Sequence, residues 1–293
     1  MSRLSHGAEY RDLSDDTPEN REIINDLQKQ MPTFEPGKMC IHHAVYSFTK
    51  KRKIFSLGVP MDNNVYHILF YLIPRLIFLD ANEKIIFFYP RSNYRLREEA
   101  MDNLSSWCIR LADEDPEIEY VELPGLFWGK DYIVDPWICD WIRDMYKHIW
   151  SSVPMEEDKY IFISRSHPST TNRRMLNEEA ILPLLAKHNI KVYHLETMSF
   201  VEQLRLVRSA KMVMGVHGAG LAWIVFCCLE TKVLEIMDTT EGFGHYRDIC
   251  GKMGLSYSLF ADIEWTAEKK HFNINVPAFE DFMDNHYIPF LKN

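Results

Sequence analysis

Apolar and polar positions alternate in a regular rhythm over the second half of the chain. Short apolar runs of strand length are separated by longer segments whose apolar residues recur at helical spacing. The strands predicted from these runs are Tyr160–Ser164, Lys191–Leu195, Lys211–Val216 and Lys232–Met237. The predicted helices are Asn177–His188, Ser199–Ala210, Ala219–Cys228 and Tyr246–Met253. This alternation predicts a doubly wound parallel sheet with right-handed crossovers.

The first half mixes strand and helix patterns less regularly. Its predicted helices are Val65–Asp80, interrupted by Pro74, then Leu96–Leu111 and Pro136–Trp150, and its predicted strands are Lys84–Tyr89 and Glu117–Leu123. A polar stretch, Ser151–Asp158, marks the boundary between the two halves. We therefore predict a loosely packed extension over residues 1–37, an N-terminal domain over 38–153, a C-terminal domain over 154–270, and a segment over 271–293. That last segment holds an apolar-spaced helix, Phe279–Leu291, which could cross back to the N-terminal domain.

Composition narrows the class of protein. The 293 residues are 46% hydrophobic and 26% charged, which is the balance of a soluble globular protein. A net charge of −9 argues against a broad nucleic-acid surface. No apolar run reaches the length of a membrane span, and Met1–Gln30 is too polar for a signal peptide, so we expect a cytoplasmic protein without a membrane span. A trimmed Golgi ectodomain would show the same pattern. The six cysteines form no CxxC pair and are expected to be free buried thiols.

The strongest local signal follows the predicted strand Lys211–Val216. There the chain reads Gly215-Val216-His217-Gly218-Ala219-Gly220 before an apolar helix. Small residues at a strand-to-helix turn let backbone N–H groups approach a phosphate, and the helix N-terminus favours negative charge. His217 could donate a further hydrogen bond. The alternative is a tight turn that needs glycine only for steric reasons; the spacing matches neither dinucleotide nor P-loop templates.

Arginines and a buried carboxylate accompany this turn. Arg165 comes at the end of a predicted strand, and Arg173 and Arg174 precede the next helix. Guanidinium groups bind diphosphates well, although Arg173 and Arg174 could equally belong to a solvated loop. Glu235 lies inside the apolar strand Lys232–Met237, where it could receive ribose hydroxyls, pair with an arginine, or mark the exposed strand end.

Three aspartates and one histidine in the first half are further candidates. Asp62 and His67 open an apolar helix, and His67 could act as a general base because imidazole titrates near neutrality. A buried histidine with a structural role is the alternative. Asp113 and Asp115 form a D-x-D string, but they follow a predicted helix and are better explained as a solvated helix end than as a metal site.

Together these segments resemble the core of glycosyltransferase family 61. The matching pieces are Ile163–Arg165, Arg174–Glu178, Ser199–Gln203, Gly215–Leu221 and Val233–Ile236, in the order and spacing of the family. In the first half, Asn64–His67 with Pro74–Leu76 is similar to the family's N-x-x-H…P-R-L element. The family includes plant β-1,2-xylosyltransferases, transferases of cell-wall xylan and animal O-linked N-acetylglucosaminyltransferases. The resemblance covers roughly residues 60–260, weakly between about 80 and 155.

The chain departs from the family pattern at two places. Ala222-Trp223 stands where the family usually has Thr-Asn, and Glu230-Thr231 stands where Pro-Gly is common. Both departures could alter acceptor or donor contacts without disturbing a phosphate site. Eukaryotic relatives carry a membrane anchor and a stem, and this chain shows neither. A compact member of this kind would suit a large DNA virus that glycosylates in the host cytoplasm.

The resemblance implies an α/β GT-B fold, two Rossmann-like domains facing a central cleft, and an inverting transferase that needs no metal or other cofactor. Its partners would be a UDP-sugar donor and an oligosaccharide or glycoprotein acceptor. The resemblance assigns the donor diphosphate to Arg165, Arg173 or Arg174 and to the turn of His217, Gly218, Ala219 and Gly220. It assigns the ribose to Glu235, and His67 or Asp62 would be the general base. Trp128 and Trp223 could stack on sugar or uracil.

Xylose is the expected donor sugar, which would make the enzyme a pentosyltransferase. UDP-N-acetylglucosamine and UDP-arabinose remain alternatives, and the first of these would make it a hexosyltransferase. A UDP-sugar-binding protein without catalysis is a second class of function. An NAD-dependent oxidoreductase is a third, which the missing GxGxxG pattern disfavours.

Overall fold

The computed structural model describes residues 10–11, 18, 21, 39–49, 52–56, 64–74, 85–88, 94–104, 108–111, 120–128, 136–238 and 244–292. The chain divides into two compact units, Met1–Tyr146 and Lys147–Asn293. The domain bounds and the GT-B arrangement inferred from the sequence remain predictions. In the described ranges, no helix combines the length and apolarity that crossing a membrane requires.

The first unit contains a six-stranded mixed sheet. Its strands are β1 (Tyr10–Arg11), β2 (Met39–Thr49), β3 (Arg52–Ser56), β4 (Ile85–Phe88), β5 (Cys108–Leu111) and β6 (Tyr120–Trp128). β2 pairs antiparallel with β1, β3 and β6, whereas β3, β4 and β5 run parallel to one another. The apolar run around Ile85 is therefore a strand, as its sequence predicts.

The helices of the first unit agree with their sequence patterns in part. They are α1 (Val65–His67), continued by a π-helix over Ile68–Leu72, α2 (Arg95–Asp102) and α3 (Pro136–Met145). The prediction of one helix over Leu96–Leu111 is wrong in its second half. Cys108–Leu111 is strand β5, because pairing with β4 outweighs a local helical pattern that has no partner of its own.

The second unit is built on the parallel sheet that its sequence predicts. Its strands are β7 (Glu156–Ile163), β8 (Ile190–Tyr193), β9 (Ala210–Val216), β10 (Lys232–Ile236) and β11 (Ser256–Phe260). They lie in the order β11-β10-β9-β7-β8, and every neighbouring pair is parallel. Strands β9 and β10 are mostly apolar and buried, as is the C-terminal end of β7, which is typical of a sheet covered on both faces. The edge strand β11 was not predicted.

Three kinds of helix accompany these strands. The α-helices are α4 (Lys147–Trp150), α5 (Leu182–Lys187), α6 (Phe200–Ser209), α7 (His245–Met253), α8 (Val276–Phe282) and α9 (Ile288–Lys292). The 3₁₀ helices are Glu178–Ile181, Leu195–Thr197 and Ala219–Phe226, and a π-helix spans Met283–Tyr287. The capping box predicted at the start of α6 is confirmed. The Ser199 hydroxyl accepts from the Glu202 backbone N–H, and the Glu202 carboxylate accepts from the Ser199 backbone N–H.

The segment after β9 is wound more tightly than predicted. The sequence favours an α-helix over Ala219–Cys228, but Ala219–Phe226 is a 3₁₀ helix. Eight residues of 3₁₀ helix advance about 16 Å, which matches the length of a five-residue strand such as β10. The extended winding therefore returns the chain to the start of β10 within a short connection.

A small hairpin that the sequence analysis missed completes the second unit. β12 (Ile263–Trp265) pairs antiparallel with β13 (Phe272–Ile274), and Met175 forms a parallel bridge to Phe272. The C-terminal helices bury Phe279, Met283 and Leu291 in the same apolar cluster as Phe272 and Ile274. The hairpin thus fastens the loop that carries Arg173 and Arg174 to the core.

Candidate functional site

The strand order of the second unit creates a crevice at one edge of the sheet. From β7 the chain crosses outward to β8, and it then returns past β7 to β9. In open parallel sheets, ligands bind outside the carboxyl ends of the strands where the direction of winding reverses. The residues that follow β7 and β9 at this point are Ser164–Ser166 and His217–Gly218. The two strongest sequence signals of the second half therefore meet at the switch point.

Arg165 and Gly218 are in direct contact. A Cβ built at Gly218 would lie 1.9 Å from Nη1 of Arg165 and 2.8 Å from its Cζ, so only glycine leaves room for the guanidinium. Nη2 of Arg165 donates to the backbone and side-chain oxygens of Asn172 at 2.9 and 3.1 Å. Burial lowers the pKa of Arg165, and the like charge of Arg173 lowers it further.

Arg173 and Arg174 have different surroundings. Arg173 adopts a left-handed backbone conformation with φ of 53°, and its N–H donates to the Lys270 carbonyl at 2.6 Å. Nη2 of Arg174 donates to the Ser166 carbonyl at 3.2 Å. Arg174 thus braces the turn after β7, whereas the charge of Arg173 faces that of Arg165.

Neither Arg165 nor Arg173 has a carboxylate within ion-pair distance in the ranges that the structure describes. The Nε atoms of both side chains are buried without a hydrogen-bond partner among the same residues. Two neighbouring cations that lose water without gaining a counter-charge are costly. An anion bound between them would repay that cost, so this arrangement favours a phosphate-type ligand.

His217 follows β9 directly and is almost completely buried. Its Nδ1 is hydrogen-bonded to Oε1 of Glu235, whose other oxygen accepts from the hydroxyl of Tyr257 at 2.6 Å. Burial and the nearby Glu235 charge raise the pKa of Tyr257, which therefore stays protonated. Glu235 is only 1% exposed, and the ribose role expected for it stays a prediction.

The turn itself is held from one side by α7. The Tyr246 hydroxyl donates to the Gly218 carbonyl at 2.6 Å, and its ring lies 5.2 Å from that of His217. Ala219 and Gly220 are partly exposed at the start of the 3₁₀ helix. A Cβ on Gly220 would come within 3.2 Å of Ile163, so the second glycine serves close packing against β7.

Two features at the crevice, one polar and one largely apolar, were missed by sequence reasoning. Beneath the turn after β7, the Ser164 hydroxyl donates to Oε1 of buried Glu178 at 2.5 Å and lies 2.8 Å from the Ser166 hydroxyl. Beside Arg173 and His217, a small pocket is walled by apolar side chains that include Trp265 from the hairpin. Glu178 could have been found from the sequence, because it lies within the family-like segment Arg174–Glu178. No sequence pattern pointed to Trp265 or Tyr257.

Of the candidate residues in the first unit, the structure describes only some. Asp62 and Arg75 lie outside the described residues, as do Asp113 and Asp115. His67 ends α1, is partly buried, and has its pKa lowered by that burial. The side chain of Trp128 also lies outside what the structure describes.

Trp223 corrects one expectation. It was a candidate for stacking on sugar or uracil, but it is fully buried and its ring packs 4.8 Å from Phe200. The substitution of the family's usual polar pair by Ala222-Trp223 therefore extends the core beneath the turn. It does not present an aromatic face to a ligand.

Histidines, cysteines and carboxylates do not converge into a metal site in the described ranges, where no three of them lie close enough to share an ion. Cys139, Cys227, Cys228 and Cys250 form no disulfide among the described residues, and all but Cys228 are buried, as predicted. That the reaction needs no metal stays a prediction.

Comparison with known proteins adds an independent finding. The family model Glycosyltransferase 61 matches residues 65–234, more than half of the chain. An EGF domain-specific O-linked N-acetylglucosamine transferase of Drosophila melanogaster is 29% identical over 36% of the chain. A beta-1,2-xylosyltransferase of Oryza sativa subsp. japonica is 40% identical over 20%, and a human protein O-linked-mannose beta-1,4-N-acetylglucosaminyltransferase 2 is 32% identical over 33%. The three matches span only 20%, 11% and 16% of those proteins' own lengths.

Proposed function

The chain belongs to glycosyltransferase family 61, and from this premise we propose that it transfers a sugar from a UDP-sugar to a hydroxyl of a glycan acceptor. The observation that carries the proposal is the pair Arg165 and Arg173 beside the His217–Gly218 turn. Both arginines keep a buried Nε without a hydrogen-bond partner among the described residues. A diphosphate supplies the two charges and the several acceptor oxygens that this arrangement lacks.

The proposed chemistry is a single in-line displacement that inverts the sugar's anomeric carbon. The acceptor oxygen bonds to that carbon and loses its proton to a base, while the bond to the β-phosphate breaks and its electron pair stays on the phosphate. Charge develops on the departing diphosphate, where the two guanidinium groups and the backbone N–H groups of the turn stabilise it without reorganising. No metal ion is required by this scheme.

His67 is the proposed general base. Because burial lowers its pKa, the imidazole is neutral at neutral pH and can accept the acceptor's proton. Asp62 is the alternative base. The preference for His67 over Asp62 is a proposal. The GT-B arrangement of the two units is also a proposal.

Xylose is the proposed donor sugar, since one relative is named as a xylosyltransferase. N-acetylglucosamine is the second candidate, because the names of the other two relatives specify it. A UDP-sugar-binding protein without turnover is the alternative from a different class.

The first experiment is a thermal-shift titration with UDP. A ligand that binds only the folded protein raises its melting temperature, and the rise reports affinity. We expect Arg165→Ala and Arg173→Ala each to weaken UDP binding by roughly 10- to 100-fold, the worth of one or two charge-assisted hydrogen bonds. Arg205→Ala is the matched control, because Arg205 is exposed on α6 and should bind UDP like the wild type.

Turnover then separates the alternatives. UDP-xylose and UDP-N-acetylglucosamine are incubated with the protein and a panel of oligosaccharides, and released UDP is measured. Release with UDP-xylose supports the proposed donor. Binding of UDP without release from any donor favours the binding-protein alternative, and no response to UDP in the thermal titration contradicts the proposal as a whole.

A further inference from the structure

A carboxylate lies in the middle of the parallel sheet. Glu235 is the fourth residue of β10, opposite Gly215 of β9 on one side and Leu259 of β11 on the other. It is 1% exposed and surrounded by apolar strands. Burying an ionised carboxylate is costly unless its oxygens are hydrogen-bonded, so the partners of this side chain are informative.

Both oxygens of Glu235 are engaged by donors. Tyr257 donates its hydroxyl proton to Oε2, and its raised pKa keeps that proton in place. Oε1 faces Nδ1 of His217. An ionised carboxylate only accepts, so the proton of this bond belongs to Nδ1 of the imidazole. The other ring nitrogen, Nε2, is then the atom that can gain a proton when an anion binds.

We propose that Glu235 is a positioning residue which, with Tyr257, fixes the His217 ring so that its Nε2 donates a hydrogen bond to the diphosphate of the donor. The inference rests on the proposed function and replaces the ribose contact that the sequence suggested for Glu235. In carboxylate–histidine pairs of this kind, the acid sets the tautomer and orientation of the ring and stabilises its cationic form.

The role fits the proposed step. When the bond between the anomeric carbon and the β-phosphate oxygen breaks, the electron pair remains on that oxygen. A doubly protonated His217 ring adds one hydrogen bond and one positive charge there, and no proton need be transferred. Glu235 then balances the charge that His217 carries, while Arg165 and Arg173 balance the diphosphate.

Several charged or titratable groups face His217. Glu235 approaches from β10, with Tyr257 of β11 behind it. His245 and Tyr246 approach from α7, with ring centroids 6.2 and 5.2 Å away. Arg173 lines the same pocket as His217.

The test combines nuclear magnetic resonance of the ring N–H groups with UDP affinity. In the wild type we expect an Nδ1–H signal far downfield, and a second ring N–H signal when UDP is added. Glu235→Gln keeps the shape but removes the charge, so the Nδ1–H signal should move upfield. Tyr257→Phe removes a competing donor from the carboxylate, so the same signal should move further downfield. Tyr287→Phe is the matched control: Tyr287 is also buried in the second unit, and its loss should leave the signal in place.

Affinity provides the second readout. Glu235→Gln should raise the Kd for UDP about tenfold, because the His217 ring is no longer held with Nε2 toward the diphosphate, whereas Tyr287→Phe should leave the Kd unchanged. A structural role alone would lower the melting temperature without raising the Kd, and that result would overturn the inference. So would an Nδ1–H signal that neither variant moves. If Glu235→Gln does not fold, the direction of the Tyr257→Phe shift decides alone.

The outcomes also separate this inference from the proposed function. UDP binding by the wild type with an unresponsive His217 signal would refute the role of Glu235 alone. A signal that moves as expected in a protein that does not bind UDP would refute the nucleotide function and leave the Glu235–His217 contact standing.

Discussion

The guanidinium of Arg165 occupies the space that any side chain at position 218 would need. A Cβ there would lie 1.9 Å from its Nη1. The contact joins the turn after β7 to the turn after β9, which are 53 residues apart from Arg165 to Gly218 (218 − 165). The glycine is therefore explained by the arginine, and the proposed phosphate site depends on both.

Gly218→Ala should displace Arg165 and weaken UDP binding by at least tenfold while leaving the fold intact. The methyl group must push the guanidinium away from the turn, which costs one charge-assisted contact. The measurement is a calorimetric titration with UDP. Gly251→Ala is the matched control, because its added methyl meets nothing within 4 Å. Gly251 lies within α7, so alanine there should raise stability by up to about 1 kcal/mol and leave the Kd unchanged. An unaltered Kd in Gly218→Ala would show that Arg165 does not contact the nucleotide.

Local signals predicted local structure well. The capping box at Ser199 and Glu202 depends on residues three apart, and it is present as predicted. Strand β5 was missed because its partner β4 lies about twenty residues earlier, and no local pattern reveals that pairing. The hairpin of β12 and β13 has three-residue strands, too short for an alternating pattern to stand out.

In the candidate site, too, local features were predictable from the sequence and long-range contacts were not. The turn at His217 and the strand-end position of Arg165 were visible as residue types next to apolar runs. Their contact, and the bond between His217 and Glu235, depend on the order of strands in the sheet. That order brings the ends of β7, β9 and β10 together, and a sequence pattern does not specify it.

Trp223 should affect stability and not ligand binding. Its indole is fully buried against Phe200, and its Nε1 has no hydrogen-bond partner among the described residues, so Trp223→Phe loses packing but no polar contact. We expect a loss of about 1–3 kcal/mol in the free energy of unfolding, measured with urea, and an unchanged Kd for UDP. A large rise in Kd with little change in stability would restore Trp223 as a ligand contact.

Asp284 should make the second unit sensitive to acid. Lys187 and His188 hydrogen-bond to this carboxylate at 2.6 and 2.5 Å and lower its pKa below the ordinary 3.8. A carboxyl group with a lowered pKa contributes stability above its ordinary pKa, and that contribution disappears as pH falls through the lowered value. Asp284→Asn should therefore lower the urea midpoint at neutral pH, and the difference from the wild type should shrink toward the acid limit.

Glu280→Gln is the control for that experiment, since Glu280 is exposed on α8 and should shift the midpoint little at either pH. A difference between Asp284→Asn and the wild type that stays constant with pH would mean that the ion pair does not cause the effect.

The pH dependence of turnover should identify the base. If His67 accepts the acceptor's proton, kcat/KM falls in acid as the ring becomes protonated. Because burial lowers the pKa of His67, the midpoint of that fall should lie below the ordinary 6.5. His67→Gln should abolish the acid limb together with most of the activity, whereas UDP affinity should be retained. An acid limb that persists in His67→Gln would transfer the role to another group, with Asp62 the first to examine.

Removal of metal ions tests the last part of the proposal. In the proposed scheme the charge of the departing diphosphate is met by Arg165, Arg173 and the His217 turn, so a divalent cation has no separate task there. We therefore expect the rise in melting temperature caused by UDP to be the same with EDTA and with manganese, and turnover to survive EDTA. The paired variant Asp113→Asn with Asp115→Asn should behave like the wild type in both measurements. Protection by UDP that appears only with manganese, and disappears in that variant, would make the D-x-D string the metal ligand and the arginines secondary to it.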